Sequence, residues 1–141
     1  LVQDEVRNAS RKLQQLSASD GCVFFQGDAV TMPLPGNTFD YVVSFLLFHE
    51  LPPAKKHQVF YECLRVLRQG GMLMYGEFHR PTTRLGRFWA RFLFSVFEPY
   101  AHQMWTWDPT VELDTNLWAV RRETVLGGYF QVTFVRRLAQ S

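Results

Sequence analysis

Apolar residues in this chain recur first at helical spacing, then in short solid runs, then at helical spacing again, and last in two β-prone runs around a glycine pair. Leu1–Leu16 sets Val2, Val6, Ala9, Leu13 and Leu16 on one face and Arg7, Arg11 and Lys12 on the other, which predicts a helix. After a loop at Ser17–Gly21, Cys22–Gln26 (CVFFQ) predicts a short strand that ends in Gly27-Asp28-Ala29. Val30–Thr38, with Pro33, Pro35, Gly36 and Asn37, predicts a loop. Phe39–Glu50 (FDYVVSFLLFHE) then holds an apolar run, Tyr41 to Phe48, broken only by Ser44. A strand apolar on both faces belongs in a parallel sheet covered by helices on both sides.

Pro53–Arg68 predicts a helix that starts at Pro52-Pro53 and buries Val59, Phe60, Cys63, Val66 and Leu67, with Lys55, Lys56, Gln58 and Arg65 in solvent. Gly70-Gly71 would end that helix, and Met72–Phe78 (MLMYGEF) is the next strand. Strand, helix, strand in this order is the grammar of an α/β fold. Thr82–Tyr100 predicts a second helix, with Leu85, Phe88, Trp89, Phe92, Val96 and Phe97 on one stripe and Arg80, Arg84, Arg87 and Arg91 on another. Glu98–Trp107 is an irregular aromatic stretch suited to a lid, and Val111–Val120 predicts one more helix. Gly127-Gly128 between Arg122–Leu126 and Tyr129–Arg137 predicts a hairpin of two antiparallel strands at the sheet edge.

Composition narrows the class. A chain of 141 residues, 47% hydrophobic, is one domain's worth and can form a core. Aromatic content of 16% points to an apolar ligand pocket, a membrane-facing surface or a half-exposed core. A net charge of +2, with its basic residues in a single stripe, argues against nucleic acid. Cys22 and Cys63 sit in apolar settings without metal spacing, and read as small buried hydrophobes in a reducing, cytoplasmic compartment. No apolar run reaches the roughly 18 residues that a membrane span needs. The arginine stripe beside aromatic residues suits either a solvated helix edge or contact with anionic lipid headgroups at a membrane surface.

Ligands in open α/β sheets bind beyond the carboxyl ends of the strands. That rule selects Ser44, His49 and Glu50 after one strand, and Glu77 and His79 after the next. His49 and His79 are candidate general bases, because imidazole titrates near physiological pH. The plainer alternative for each is a structural hydrogen bond at a strand end. Asp28 could accept a hydrogen bond from a ligand amine or hydroxyl, or merely cap a turn. Phe88, Trp89, Phe92, Trp105 and Tyr129 are the candidate walls of a site for a greasy substrate.

FFQGDAVTMPLPGNTFDYVVSFLLFHE followed by ECLRVLRQGGMLMYGEF resembles the class I S-adenosylmethionine (SAM)-dependent methyltransferases, in the branch that includes ubiquinone and menaquinone methyltransferases. The resemblance is strongest over Leu1 to Phe78. It implies a Rossmann-like fold, mostly parallel with an antiparallel edge hairpin, SAM as cofactor, and a hydrophobic small-molecule acceptor such as a quinone. Asp28 and Ala29 match the loop that reads the adenine. Ser44, Phe45 and Leu46 match the strand end along the cofactor's methionine side, and His49 the position beside the reacting centre. Glu77 and His79 would face the substrate.

Gln69 stands where the family usually has proline. The family's glycine-rich loop and its ribose-binding acid would precede Leu1, so 1–141 reads as a single, truncated methyltransferase domain with a weak cofactor site and an exposed apolar sheet edge. SFLLFHELP, EFHRP, FEPYAHQMW and LGGYFQV also resemble a rhodoquinone-biosynthesis branch, which implies SAM-dependent amination of ubiquinone with a divalent metal. Glu50, Glu77, His79 and His102 could then supply ligands, without a recognised metal spacing. A truncated, non-catalytic binding domain is the remaining alternative.

Overall fold

The computed structural model describes residues 7–8, 11–12, 22–23, 25–97 and 101–139. The chain divides into two compact units, Leu1–Pro33 and Leu34–Ser141.

In the first unit, Arg7, Asn8, Arg11 and Lys12 are helical and exposed, as the polar side of the expected helix requires. The apolar side of that helix lies outside the described residues. The expected strand at Cys22–Gln26 is a correction: its described residues belong to no strand, and Val23 and Phe25 are exposed. An isolated strand leaves its backbone groups to water and gains no ladder, so an apolar run alone does not make one. Cys22 is exposed rather than buried.

The second unit is built on a four-stranded sheet. Its elements are β1 (Phe39–Phe45), α1 (Pro53–Val66), β2 (Leu67–Phe78), α2 (Arg84–Phe97), β3 (Trp118–Val125) and β4 (Phe130–Arg137), with short 3₁₀ turns between several of them. Strand order is β1-β2-β4-β3. Only β1 and β2 are parallel; β2–β4 and β3–β4 are antiparallel, so within this unit the sheet is mixed and mostly antiparallel, where the sequence predicted mostly parallel. The reason is the hairpin, which returns β4 to lie directly on β2 and so supplies two of the three pairings.

The α1 stripe is as expected: Val59, Phe60, Cys63, Leu64 and Val66 are buried, and Phe60 meets Tyr75 of β2 edge-on. Lys56 is a correction, since it is 1% exposed rather than solvated. The glycine pair does not end α1. β2 begins at Leu67 and bulges, with Phe39 opposite Leu67 but Tyr41 opposite Met72. Gly70 holds φ +75°, and a Cβ on Gly71 would lie 2.9–3.1 Å from the Arg68, Phe39 and Asp40 carbonyls. The glycines therefore permit the bulge.

Val42, Ser44, Leu73, Tyr75, Thr133 and Val135 share the face that α1 covers, by register. On the opposite face Tyr41, Val43 and Phe45 are 64–66% exposed, so helices do not cover both sides of β1 among the described residues. The predicted helix at Val111–Val120 is also corrected. Asp108 caps a single 3₁₀ turn at Pro109–Glu112, and β3 starts at Trp118. The hairpin is present, pairing Val125 with Phe130.

Candidate active site

β1 and β2 run parallel, so their carboxyl ends lie side by side, and the chain leaves both into turns that carry polar residues. After β1, Leu46 adopts φ +53° and donates its N–H to the Gly76 carbonyl at 3.0 Å, and Phe48–Glu50 makes one 3₁₀ turn. Glu77, buried near the end of β2, ties that turn down. Its Oε1 accepts the Phe48 N–H at 2.6 Å and its Oε2 lies 2.9 Å from His49 Nδ1. With Glu77 accepting at both oxygens, Nδ1 is the protonated nitrogen of His49, and Nε2 sits 3.5 Å from Glu50 Oε1. His49 is buried against the edge of Phe78. Two residues expected in separate roles thus form one buried pair that fixes the ends of β1 and β2 relative to each other.

His79 follows directly. Its N–H donates to the Tyr129 carbonyl at 2.9 Å, and its Nδ1 lies 3.0 Å from the Gly128 carbonyl. A carbonyl oxygen only accepts, so Nδ1 donates, and the neutral ring keeps Nε2 as a proton acceptor. His79 lines a cavity of about 330 Å³ together with Tyr75, Glu77, Trp105, Asp108 and Arg122. His49 does not line it.

The far wall was not legible in the sequence. Asp108 Oδ1 accepts from the Thr110 N–H at 3.1 Å and the Thr110 hydroxyl at 2.6 Å, and Arg122 reaches Asp108 Oδ2 at 2.8 Å and also donates to the Thr110 hydroxyl. Burial pushes the Asp108 carboxyl up, but the Thr110 hydrogen bonds and the Arg122 charge outweigh it and hold Asp108 below its ordinary range. Burial raises the Tyr75 phenol to about 12, opposed in part by a hydrogen bond with Thr133. Lys56 reaches Gln103 Oε1 at 3.2 Å; burial lowers its pKa, and the charge of Glu77 opposes that shift. The one sequence signal for this wall was Asp108-Pro109-Thr110, a turn-capping pattern. Arg122 was expected on a hairpin strand, and it is; its pairing with Asp108 across 14 residues is what the sequence did not show.

A second, larger groove of about 620 Å³ is lined by Arg80, Arg87, Arg91, Phe88, Phe92 and Trp105, so Trp105 borders both spaces. Trp89 and Tyr129 line neither. Trp89 is exposed, and a Cβ on Gly86 would lie 2.5 Å from the Tyr129 hydroxyl, which places Tyr129 against α2. Part of the expected lid, residues 98–100, and the side chain of His102 lie outside the described residues.

Of the expected cofactor residues, Ser44 has a buried hydroxyl with no hydrogen-bond partner among the described residues. Such a group at a strand end is suited to a polar ligand atom. Phe45 instead packs its ring on Phe130, 5.2 Å centroid to centroid, across Gly76. In the first unit, Asp28 accepts the Val30 N–H at 2.9 Å and Ala29 is half-buried, so Asp28 does cap a turn. Among the described residues no three His, Cys, Asp or Glu side chains converge as a metal site would need.

Comparison with known proteins places these features in context. A family model described as a methyltransferase domain matches residues 1–75. The chain is 36% identical over 74 residues to a ubiquinone/menaquinone biosynthesis C-methyltransferase of Pseudomonas savastanoi pv. phaseolicola, a match covering 52% of this chain and 28% of the relative. It is 32% identical over 78 residues to the 27-O-demethylrifamycin SV methyltransferase of Amycolatopsis mediterranei, covering 55% of this chain and 28% of that protein. These matches span little more than a quarter of the relatives' length. Among solved structures, a Pyrococcus horikoshii protein superposes with TM-score 0.70 at 20% identity, over 95% of this chain and 67% of that one. A SAM-dependent methyltransferase from Aquifex aeolicus gives 0.64 at 19% identity, over 94% and 63%.

Proposed function

Since this chain belongs to the class I SAM-dependent methyltransferase family, we propose that it serves methyl transfer from SAM to a hydrophobic small molecule, with a quinone as the leading candidate. When bound, SAM supplies an electrophilic methyl group. The observation that carries the reading is the cavity at the carboxyl end of β2, which combines aromatic walls with an imidazole of defined tautomer. The acceptor lies against Tyr75 and Trp105. His79, with Nδ1 committed to Gly128, takes the acceptor's proton at Nε2. Glu77 and His49 hold the strand ends rigid, so that the acceptor is positioned and water is displaced. Ser44, Phe45 and Leu46 are the proposed cofactor contacts at the end of β1. Asp28 and Ala29 are proposed as adenine contacts on the family resemblance alone.

A quinone is favoured because one curated relative carries ubiquinone/menaquinone C-methylation in its name. An exposed free thiol at Cys22 supports a reducing, cytoplasmic setting, and the exposed aromatic face of α2 supports work beside a membrane.

Calorimetry with SAM, on the 141-residue chain and on a form extended at its N-terminal end, tests the cofactor assignment. Binding by the extended form is expected, weakened by Ser44→Val. Absence of binding by both forms overturns the reading and leaves a non-catalytic binding domain. Mass spectrometry of products from demethylated quinone acceptors then separates methyl transfer from amination of ubiquinone. His79→Gln is expected to lower kcat by about 10²–10⁴ with SAM affinity unchanged.

A further inference from the structure

We propose that the outward face of α2 docks on an anionic lipid bilayer, with a headgroup phosphate seated in the groove lined by Arg80, Arg87 and Arg91. This deepens the membrane-surface part of the reading above and stands independently of the transfer chemistry.

The described part of the expected stripe on α2 faces outward, and the side chains of Val96 and Phe97 lie outside the described residues. Leu85, Phe88, Trp89 and Phe92 are 53–68% exposed, whereas Gly86 and Ala90 are the buried ones among its described side chains. An amphipathic helix that turns four large apolar side chains outward is built for an interface. Its charge selects the partner. Between His79 and Phe97 there are four arginines and no acidic residue. Arg80, Arg84 and Arg91 are exposed, and Arg87 is held in place by Nη1 donating to the Pro81 and Thr82 carbonyls at 3.2 and 2.7 Å. Phe88, Phe92 and Trp105 form the apolar sides of the same groove. A phosphodiester headgroup meets the guanidinium groups there while its acyl region meets the aromatic rings, and both requirements are satisfied on one face. A second copy of the chain would set arginine against arginine across a twofold contact, which like-charge repulsion opposes. Nucleic acid would match the arginines but leave Leu85, Trp89 and Phe92 in water.

Flotation with vesicles of phosphatidylcholine alone, or with a third phosphatidylglycerol, tests the proposal on the wild-type protein. Binding to the mixed vesicles only, falling as salt rises, is the expected result. Each arginine removed is expected to weaken partition by roughly fivefold, so Arg84→Gln with Arg91→Gln costs about 25-fold. Arg84→Lys with Arg91→Lys should retain binding, which separates charge from folding. Trp89→Ser with Phe92→Ser should abolish it with the circular dichroism spectrum unchanged. Equal binding to neutral vesicles, no binding to either, or a dimer in sedimentation that the Trp89/Phe92 variant dissolves would each overturn the inference. The Arg84→Gln/Arg91→Gln protein should transfer to a soluble acceptor as wild type does, so this test and that of the enzymatic reading fail separately.

Discussion

Two fourteen-residue helices, α1 and α2, both carry large apolar residues at three- and four-residue spacing, and they end in opposite environments. In α1 the stripe of Val59, Phe60, Cys63 and Val66 is buried on the sheet. In α2 Leu85, Phe88, Trp89 and Phe92 face outward, and the buried positions among its described side chains are Gly86 and Ala90. Periodicity reveals that a helix has an apolar face; it does not say what covers that face. The difference lies in the opposite stripe. Behind the α1 residues stand lysine, glutamine and arginine positions. Behind those of α2 stand, among the described side chains, a glycine and an alanine, and Gly86 is small enough for a close approach to Tyr129.

The contrast is sharpest in core energetics. Phe60→Ala should destabilise by about 3–5 kcal/mol, the usual range for emptying a buried phenylalanine site. Phe92→Ala should stay within about 0.5 kcal/mol in the same urea titration. Comparable losses at both positions would erase the distinction between the two helices.

A second test uses the surface that α1 covers. Tyr75 is buried beneath it with its phenol raised to about 12, against an ordinary value near 10. The folded state therefore keeps a proton that the unfolded chain loses as pH passes 10. Stability from this group is complete below pH ~10 and declines up to about 12, by roughly 2–3 kcal/mol. Tyr75→Phe should flatten that part of the stability–pH curve relative to wild type, and an unchanged slope would contradict the burial of this face.

A smaller effect probes how α2 docks. Gly86→Ala places a methyl group 2.5 Å from the Tyr129 hydroxyl and 2.7 Å from Thr83 Oγ1, and should cost about 1–2 kcal/mol. Tyr129→Phe in the same chain should recover part of it. Simple additivity of the two changes would show that Gly86 and Tyr129 do not meet.

The smallest effect concerns the cavity wall. Asp108→Asn should cost about 0.5 kcal/mol at pH 7, because its pair with Arg122 is partly exposed. Asp108 is held low in the folded state, so its contribution is present above the ordinary carboxylate value near ~3.9 and fades as pH falls through the lower folded value. Wild type and variant should converge in acid.

Local signals sufficed where the physics was local. Pro52-Pro53 starts α1, the Val59–Val66 spacing buries it, and Gly127-Gly128 turns the hairpin, because each depends on neighbours within a few residues. Glu77, His79 and His49 were recognisable as polar residues at strand ends from their place after apolar runs. Pairing was not legible. Glu77 meets His49 across a separation of 28 residues, and Arg122 meets Asp108 across 14. Lys56 looked solvated until Gln103, 47 residues away, reached it. The Gly70-Gly71 pair was read as a helix stop because the same backbone freedom serves a helix end and a β-bulge.

By itself, then, the sequence determined which segments have apolar faces, where the chain turns, which polar residues stand at strand ends, and the family resemblance. Only the tertiary structure decided that β4 returns antiparallel onto β2, that His49 and Glu77 share a hydrogen bond, and that Leu85, Phe88, Trp89 and Phe92 of α2 face outward. The physical reason is that burial and hydrogen bonding belong to pairs of surfaces, and a single stretch of chain carries only one member of each pair.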